Sequence, residues 1–217
     1  MAQSEIQAKY FIPTTVSQRE RYKRPFDLLI LALTHLLLAP LWILLWTGIP
    51  LLIWLEDRGP IFFRQRRIGK GGRTFYVLKF RTMVVGADKI GPVWTVEHDP
   101  RVTRVGRILR KTALDELPQV LSMWKGDIGL VGPRALAADE QLTLEGSIPG
   151  FEKRLQVRPG FTGLAQVYNK TDAPASKLRY DLDYIERMNP WLDVNLLTLS
   201  VFNTLLVRWD SRSGKRE

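Results

Sequence analysis

The sequence contains no cysteine, which excludes a disulfide framework, a thiolate nucleophile and a cysteine-ligated metal. Its two histidines, His35 and His98, are too few for a histidine-built zinc site. From Leu28 to Leu55 there is no Asp, Glu, Lys or Arg. That run exceeds the roughly 20 apolar residues that cross a bilayer as a helix, so a membrane segment is expected. No internal repeat, low-complexity stretch or Gly-, Ser- or Pro-rich linker divides the chain. Its 217 residues suffice for one compact domain with a core plus a short membrane element.

The apolar segment is not a cleavable signal peptide: it is too long, follows a polar stretch and lacks a small-residue cleavage pattern. Pro40 interrupts it, and a proline inside a helix removes a backbone donor and clashes with the preceding turn. The halves, Leu28 to Ala39 and Leu41 to Leu55, reach roughly 18 to 22 Å at 1.5 Å per residue, short of a hydrocarbon core of about 30 Å. Lys23 and Arg24 precede the segment, while Arg58, Arg64, Arg66, Arg67 and Lys70 follow it. Positive flanks pull both ends to the cytoplasmic side. These features favour a helix-break-helix that enters and leaves the same leaflet over a single kinked spanning helix.

Downstream, Ile61 to Phe63 and Phe75 to Leu78 are short β-prone runs flanking the Gly69 to Gly72 turn, a pattern that predicts a hairpin. Residues 86 to 100 read as a loop and Val102 to Thr112 as a helix. Pro118 is placed at the start of a second helix that Gly126 ends, which leaves Asp115 and Glu116 at the junction. Leu136 to Leu144 and Ala175 to Met188 also read as helices, with loops at Arg158 to Gly160 and Thr162-Gly163. The uncharged stretch Val194 to Val207 is too short to span and suits a buried or interfacial helix.

The formal charge is +10, and it is concentrated. Residues 58 to 111 carry fourteen Lys or Arg against Asp88, Glu97 and Asp99, whereas the rest is near neutral. Such a block predicts an anionic partner: nucleic acid, acidic headgroups or a phosphorylated substrate. A solvated basic face is the bland alternative. Asp115-Glu116 alone is a weak signal, because Thr112 with Asp115 also fits an ordinary capping box. Beside a basic helix, and ahead of the turn Gly126 to Arg134, the two carboxylates form a candidate anion site. A carboxylate attacks phosphorus only where the phosphate charge is neutralised, usually by Mg²⁺ and arginines.

Six stretches together resemble the monotopic polyprenyl-phosphate sugar-phosphate transferases, also called bacterial sugar transferases. They are Lys23-Arg24-Pro25-Phe26-Asp27, Gly59 to Gln65, Leu78-Lys79-Phe80-Arg81-Thr82-Met83, Leu114 to Gln119, Gly126 to Arg134 and Val157 to Val167. The resemblance covers nearly everything from residue 23 to 209, and the combination in this order is highly specific.

The resemblance implies an α/β fold, mostly helical: a small membrane-associated domain with a re-entrant N-terminal helix broken at Pro40 and interfacial amphipathic helices. Its implied organisation is an N-terminal cytoplasmic segment (1–25), the re-entrant helix (26–57), a catalytic domain on the cytoplasmic face of the bacterial inner membrane (58–209) and a tail (210–217). Asp115 is implied as the nucleophile that attacks a UDP-sugar, releasing UMP and leaving a phosphosugar ester that polyprenyl (undecaprenyl) phosphate then takes. Glu116 would help Asp115 hold Mg²⁺, with Mn²⁺ as an alternative. Lys79, Arg81, Arg110, Pro133, Arg134 and Lys170 are implied around the phosphates and nucleotide. Asp183 also matches a family acid, with no role attached. The chain departs from the pattern at Ala39, where a serine is common, at Ala135, where a second proline is common, and at Lys170, where arginine is frequent. Membrane lipids are implied partners, and a homodimer is compatible with this reading. Two rivals are a membrane-tethered nucleic-acid-binding protein and a catalytically silent scaffold of the same fold. The first is disfavoured by the lack of a nucleic-acid motif and of aromatic residues interleaved with the arginines, the second by the intact acid pair.

Overall fold

The computed structural model describes residues 10–90, 99–169, 171 and 173–205. In chain order the helices are α1 (Thr14–Arg19), α2 (Lys23–Leu37), α3 (Ala39–Glu56), α4 (Arg104–Lys111), α5 (Val120–Lys125), α6 (Ala138–Ser147), α7 (Leu164–Tyr168), α8 (Pro174–Arg187) and α9 (Pro190–Leu205). The strands are β1 (Phe62–Ile68), β2 (Thr74–Phe80), β3 (Gly129–Val131) and β4 (Gly160–Thr162). Among the described residues the fold is mostly helical with two two-stranded sheets, the expected hairpin β1-β2 and the parallel pair β3-β4. Two compact units divide the chain. Unit 1 takes Met1–Leu29, Arg66–Tyr76 and Ser122–Glu217; unit 2 takes Ile30–Gln65 and Val77–Leu121.

In unit 1, β3 and β4 pair with Gly129 opposite Gly160 and Val131 opposite Thr162. Strand β3 thus lies within the expected turn Gly126 to Arg134, and β4 lies where loops are expected at Arg158 to Gly160 and Thr162-Gly163. The approach explains the residue type: a Cβ on Gly160 would lie 1.9 Å from the Gly132 amide nitrogen, which only glycine avoids. Beneath this pair lies a buried ion network. Lys23 donates to Asp193 Oδ2 (2.6 Å), the Val131 carbonyl (2.7 Å) and the Tyr184 hydroxyl (3.0 Å). The Tyr22 and Tyr184 hydroxyls donate to Asp193 as well, at 2.9 and 2.8 Å. Burial first, and then the Asp193 charge, push both tyrosines well above the usual phenol range. A second closed cluster holds Arg154, which donates to Asp181, Gln141 and the Arg134 carbonyl.

Asp27 contrasts with these groups. It is buried, and neither carboxylate oxygen has a satisfactory hydrogen bond. Burial raises its pKa, partly offset by the Lys23 charge and by the Leu130 amide.

Unit 2 packs α3 and α4 over the near end of the hairpin. Its core is Ile49, Ile53, Phe80 and Leu109, with Trp46, Ile61 and Leu117 against them. Phe80 stacks on Phe62 at 5.6 Å and meets Trp46 edge-on at 5.9 Å. Helix α3 is, among the described residues, the one helix long and apolar enough to cross a membrane by length and composition, and 11% of its apolar window is buried. Leu41, Ile43, Leu44, Leu51, Leu52 and Leu55 are exposed, an arrangement a water-soluble helix avoids.

The break between α2 and α3 falls at Leu38, two residues before the expected Pro40. The physical reason is that Pro40 occupies the first turn of α3, where a missing N–H costs nothing and the fixed φ suits the helix. Across the break His35 stacks on Trp42, with ring centroids 4.2 Å apart and planes 9° from parallel. In a straight helix residues seven apart are separated by about 10.5 Å along the axis, and side chains that lean the same way preserve that spacing. The bend therefore closes on the His35 and Trp42 face.

Other element boundaries also moved. Pro118 lies inside a 3₁₀ turn, Leu114–Gln119, and α5 starts at Val120. Helix α6 begins at Ala138, two residues later than expected, and α9 begins at Pro190, four residues earlier than the apolar stretch. The loop expected at 86–100 lies mostly outside the described residues.

Candidate active site

Asp115 and Glu116 sit in the 3₁₀ turn that follows α4. Ala113 makes the link with φ 57°, the one non-glycine residue of the described chain in the left-handed region. That conformation costs about 1 kcal/mol or more for a residue with a Cβ, and here it turns the chain sharply between Arg110 and the two acids. The capping-box alternative fails: the Thr112 hydroxyl donates backwards, to the Ile108 and Leu109 carbonyls.

Two elements of unit 2 bring opposite charges to this turn. From β2, the Lys79 ammonium meets Glu116 Oε1 at 2.6 Å, both side chains retaining some exposure. From the last turn of α4, Arg110 lies close enough for its charge to act on Asp115. Burial raises the Asp115 pKa most, Lys79 pulls it back, Glu116 raises it and Arg110 lowers it. Desolvation makes a carboxylate a stronger nucleophile than it is in water; the neighbouring cations temper that effect but lie where they can neutralise a phosphate.

Arg81 is used differently from the other cations. Its Nη1 donates to Asp57 Oδ2 at 3.2 Å and its Nη2 to the Asp57 carbonyl, while the Val85 amide donates to Asp57 Oδ2 at 3.0 Å. The preceding residue, Glu56, accepts from the Arg104 and Val105 amides at 2.6 and 2.8 Å. Two acids at the end of α3 thus tie that helix to the segment after β2 and to the start of α4. Arg101 is likewise closed, gripping Asp99 through Nε and Nη2 at 2.9 and 2.6 Å. Neither acid clamp was legible as such, because nothing in the spacing says which cation of the basic block meets which carboxylate.

Pro133 and Arg134 belong to unit 1. The Pro133 carbonyl accepts from the Gly160 amide at 2.9 Å and Arg134 bridges in parallel to Gly160, so the backbone of this turn is held by β4. Lys170 lies outside the described residues. Asp183 forms an exposed pair with Arg187 at 3.1 Å, one turn along α8.

The family pattern described as bacterial sugar transferase matches residues 18–207. A UDP-N-acetylgalactosamine-undecaprenyl-phosphate N-acetylgalactosaminephosphotransferase of Aeromonas hydrophila is 38% identical over 194 residues, which is 88% of this chain and 45% of that protein. A UDP-glucose:undecaprenyl-phosphate glucose-1-phosphate transferase of Caulobacter vibrioides is 40% identical over 185 residues, 82% of this chain and 68% of that protein. The exopolysaccharide production protein ExoY of Sinorhizobium fredii is 38% identical over 199 residues, 84% of this chain and 83% of that protein. The chain therefore spans less than half of the first of these relatives and most of the other two.

Proposed function

The chain belongs to the bacterial sugar transferase family, and we propose that it moves a sugar 1-phosphate from a UDP-sugar to polyprenyl phosphate. The observation that carries this reading is the Asp115-Glu116 turn with Lys79 and Arg110 gathered on it. An Asp115 carboxylate oxygen forms a bond to the sugar-linked phosphorus as the bond to the bridging oxygen breaks, and UMP leaves with that electron pair. A phosphate oxygen of the lipid then attacks the same phosphorus, releasing the Asp115 carboxylate and giving polyprenyl diphosphate sugar. Lys79 and Arg110 balance negative charge in both steps. The relatives' names, which specify UDP-sugar donors and undecaprenyl-phosphate acceptors, support the substrate classes.

A hard divalent cation fits the donor set. The described residues hold no group of three or more His, Cys, Asp or Glu side chains that could ligate a metal, but Mg²⁺ is commonly held by one or two carboxylates plus substrate phosphates. Asp115 and Glu116 would hold it, and when bound it neutralises the diphosphate. EDTA should abolish UMP release, with Mg²⁺ or Mn²⁺ restoring it; full activity after rigorous chelation would remove the metal from this proposal.

The exposed apolar surface of α3 and the bend at Leu38 support a re-entrant anchor with both flanks on the cytoplasmic face. Single cysteines at Gln3 and Gly71 should both be labelled only from that face, and periplasmic labelling of one would establish a spanning helix.

The chemistry itself is tested by intact-protein mass spectrometry after mixing with UDP-sugars and Mg²⁺ in the absence of lipid acceptor. One sugar phosphate should add to the protein at Asp115, with UMP released in an amount limited by enzyme. Asp115→Asn should lose the adduct and turnover together. UMP that appears only with lipid acceptor, and no adduct, would point instead to direct transfer.

A further inference from the structure

Thr82 is buried two residues past the end of β2 and touches α4 at both of the helix's ends. Its carbonyl accepts from the Thr103 amide at 3.1 Å, just before the helix. The same carbonyl oxygen lies where a Cβ on Gly106 would sit, at 2.1 Å, so the first turn of α4 rests directly on this peptide. Met83 and Val102 form an antiparallel bridge, and the Val84 amide donates to the Arg101 carbonyl at 2.9 Å. These contacts fix the helix in both height and rotation. The Thr82 side chain then reaches the last turn: its Oγ1 accepts from Arg110 Nε at 2.9 Å. The reach follows from the lean of helical side chains toward the N-terminus, which carries the Arg110 guanidinium back along α4.

With Nε held, the guanidinium plane is set and its two terminal nitrogens remain as a fork. Among the described residues no protein acceptor is bonded to that fork. An arginine fixed at Nε presents two parallel donors to a phosphate, the geometry in which arginine differs most from lysine. Without the Thr82 hydroxyl, the same side chain would sample several rotamers beside Asp115 and lose part of its advantage to entropy.

We propose that Thr82 is a positioning residue that sets the Arg110 fork toward the phosphate donor, through its hydroxyl and not merely through its bulk. The inference rests on the sugar-phosphate transfer reading for its activity readout only. Thr82→Val keeps the shape and removes the acceptor, whereas Thr82→Ser keeps the acceptor. With the UDP-sugar that the wild type accepts best, Thr82→Val should lower kcat/KM for UMP release roughly tenfold or more, the scale of a lost hydrogen bond to a charged group. Thr82→Ser should restore most of it. In an Arg110→Gln background, adding Thr82→Val should change little further. Equal losses in the Val and Ser variants, or an undiminished Val effect without Arg110, would overturn the proposal. The same four-variant cycle read on thermal unfolding without ligand tests the bond independently of the reaction. Coupling between the two sites supports it, and strict additivity overturns it even if the wild type transfers no sugar phosphate.

Discussion

Each unit holds a lysine-carboxylate pair at 2.6 Å: Lys23 with Asp193 in unit 1 and Lys79 with Glu116 in unit 2. Their side-chain exposures are 3% and 0% for the first pair, 18% and 16% for the second. The buried pair is enclosed by two tyrosine hydroxyls and a carbonyl, so its polar groups are satisfied internally. In the partly open pair, Glu116 shares its turn with Asp115, and both partners keep some contact with solvent. Equal distances thus carry different consequences, decided by what surrounds each pair. Structural cations are those whose donors are closed within the protein, and working cations are those left with something still to meet.

The hardest test of this contrast is to remove the lysine from each pair. Lys23→Met leaves Asp193 buried without its cation and should cost about 3–5 kcal/mol in denaturant unfolding, whereas Lys79→Met should cost clearly less and instead depress UMP release. Equal stability losses would erase the distinction. Gly106→Ala comes next. Helix propensity would favour alanine by up to about 1 kcal/mol, but the clash with the Thr82 peptide should reverse the sign and destabilise unit 2 by about 1–3 kcal/mol, lowering turnover as Arg110 moves. A stabilised, fully active variant would refute the close approach of α4.

Asp27 sharpens the comparison through pH. Its pKa is raised in the folded protein by burial, so folding holds its proton more tightly than the unfolded chain does. The burial carries no electrostatic cost well below the ordinary carboxylate range, and the cost grows as pH rises through that range to the raised folded value. Relative to wild type, Asp27→Asn should therefore gain stability with rising pH, and a difference in melting temperature that is flat from acid to neutral pH would contradict a desolvated carboxyl. The smallest effect is expected at Arg66, whose 3.4 Å pair with Asp139 is exposed on both sides. Arg66→Ala should shift stability by no more than about 0.5 kcal/mol, and a larger shift would mean that closure is not what separates the useful pairs.

Much of this organisation was legible in the sequence where the signal is local. Helix α8 starts one residue before the expected Ala175 and ends one before Met188, because the proline start and apolar spacing lie within the helix itself. Asp115, Glu116, Lys79 and Arg110 stand out in the sequence, and the fold sets Lys79 on Glu116 and brings the Arg110 charge to bear on Asp115. The parallel pair β3-β4 was not legible: its strands are three residues each, and Gly129, Gly132 and Gly160 read as turns until the two backbones are seen side by side. Arg81 and Arg101 look like Lys79 and Arg110 in a list of basic residues. Only the three-dimensional placement of Asp57 and Asp99 separates them, and nothing in the stretch Leu78 to Met83 signals that the Thr82 hydroxyl meets an arginine 28 residues later.

The Lys23-Asp193 contact joins residues 170 apart in the chain. At about 5–20 residues per second of synthesis, the ribosome needs roughly 10 to 30 seconds to travel from one to the other. Lys79 and Glu116 are 37 apart, and the interval between them is a few seconds at the same pace. Throughout the longer wait the Lys23 ammonium lacks its carboxylate and must stay hydrated, at the very start of the helix that leads into the apolar segment. The apolar stretch is therefore synthesised well before the carboxylate that completes the Lys23 cluster, and translation itself sets the order in which the two become available.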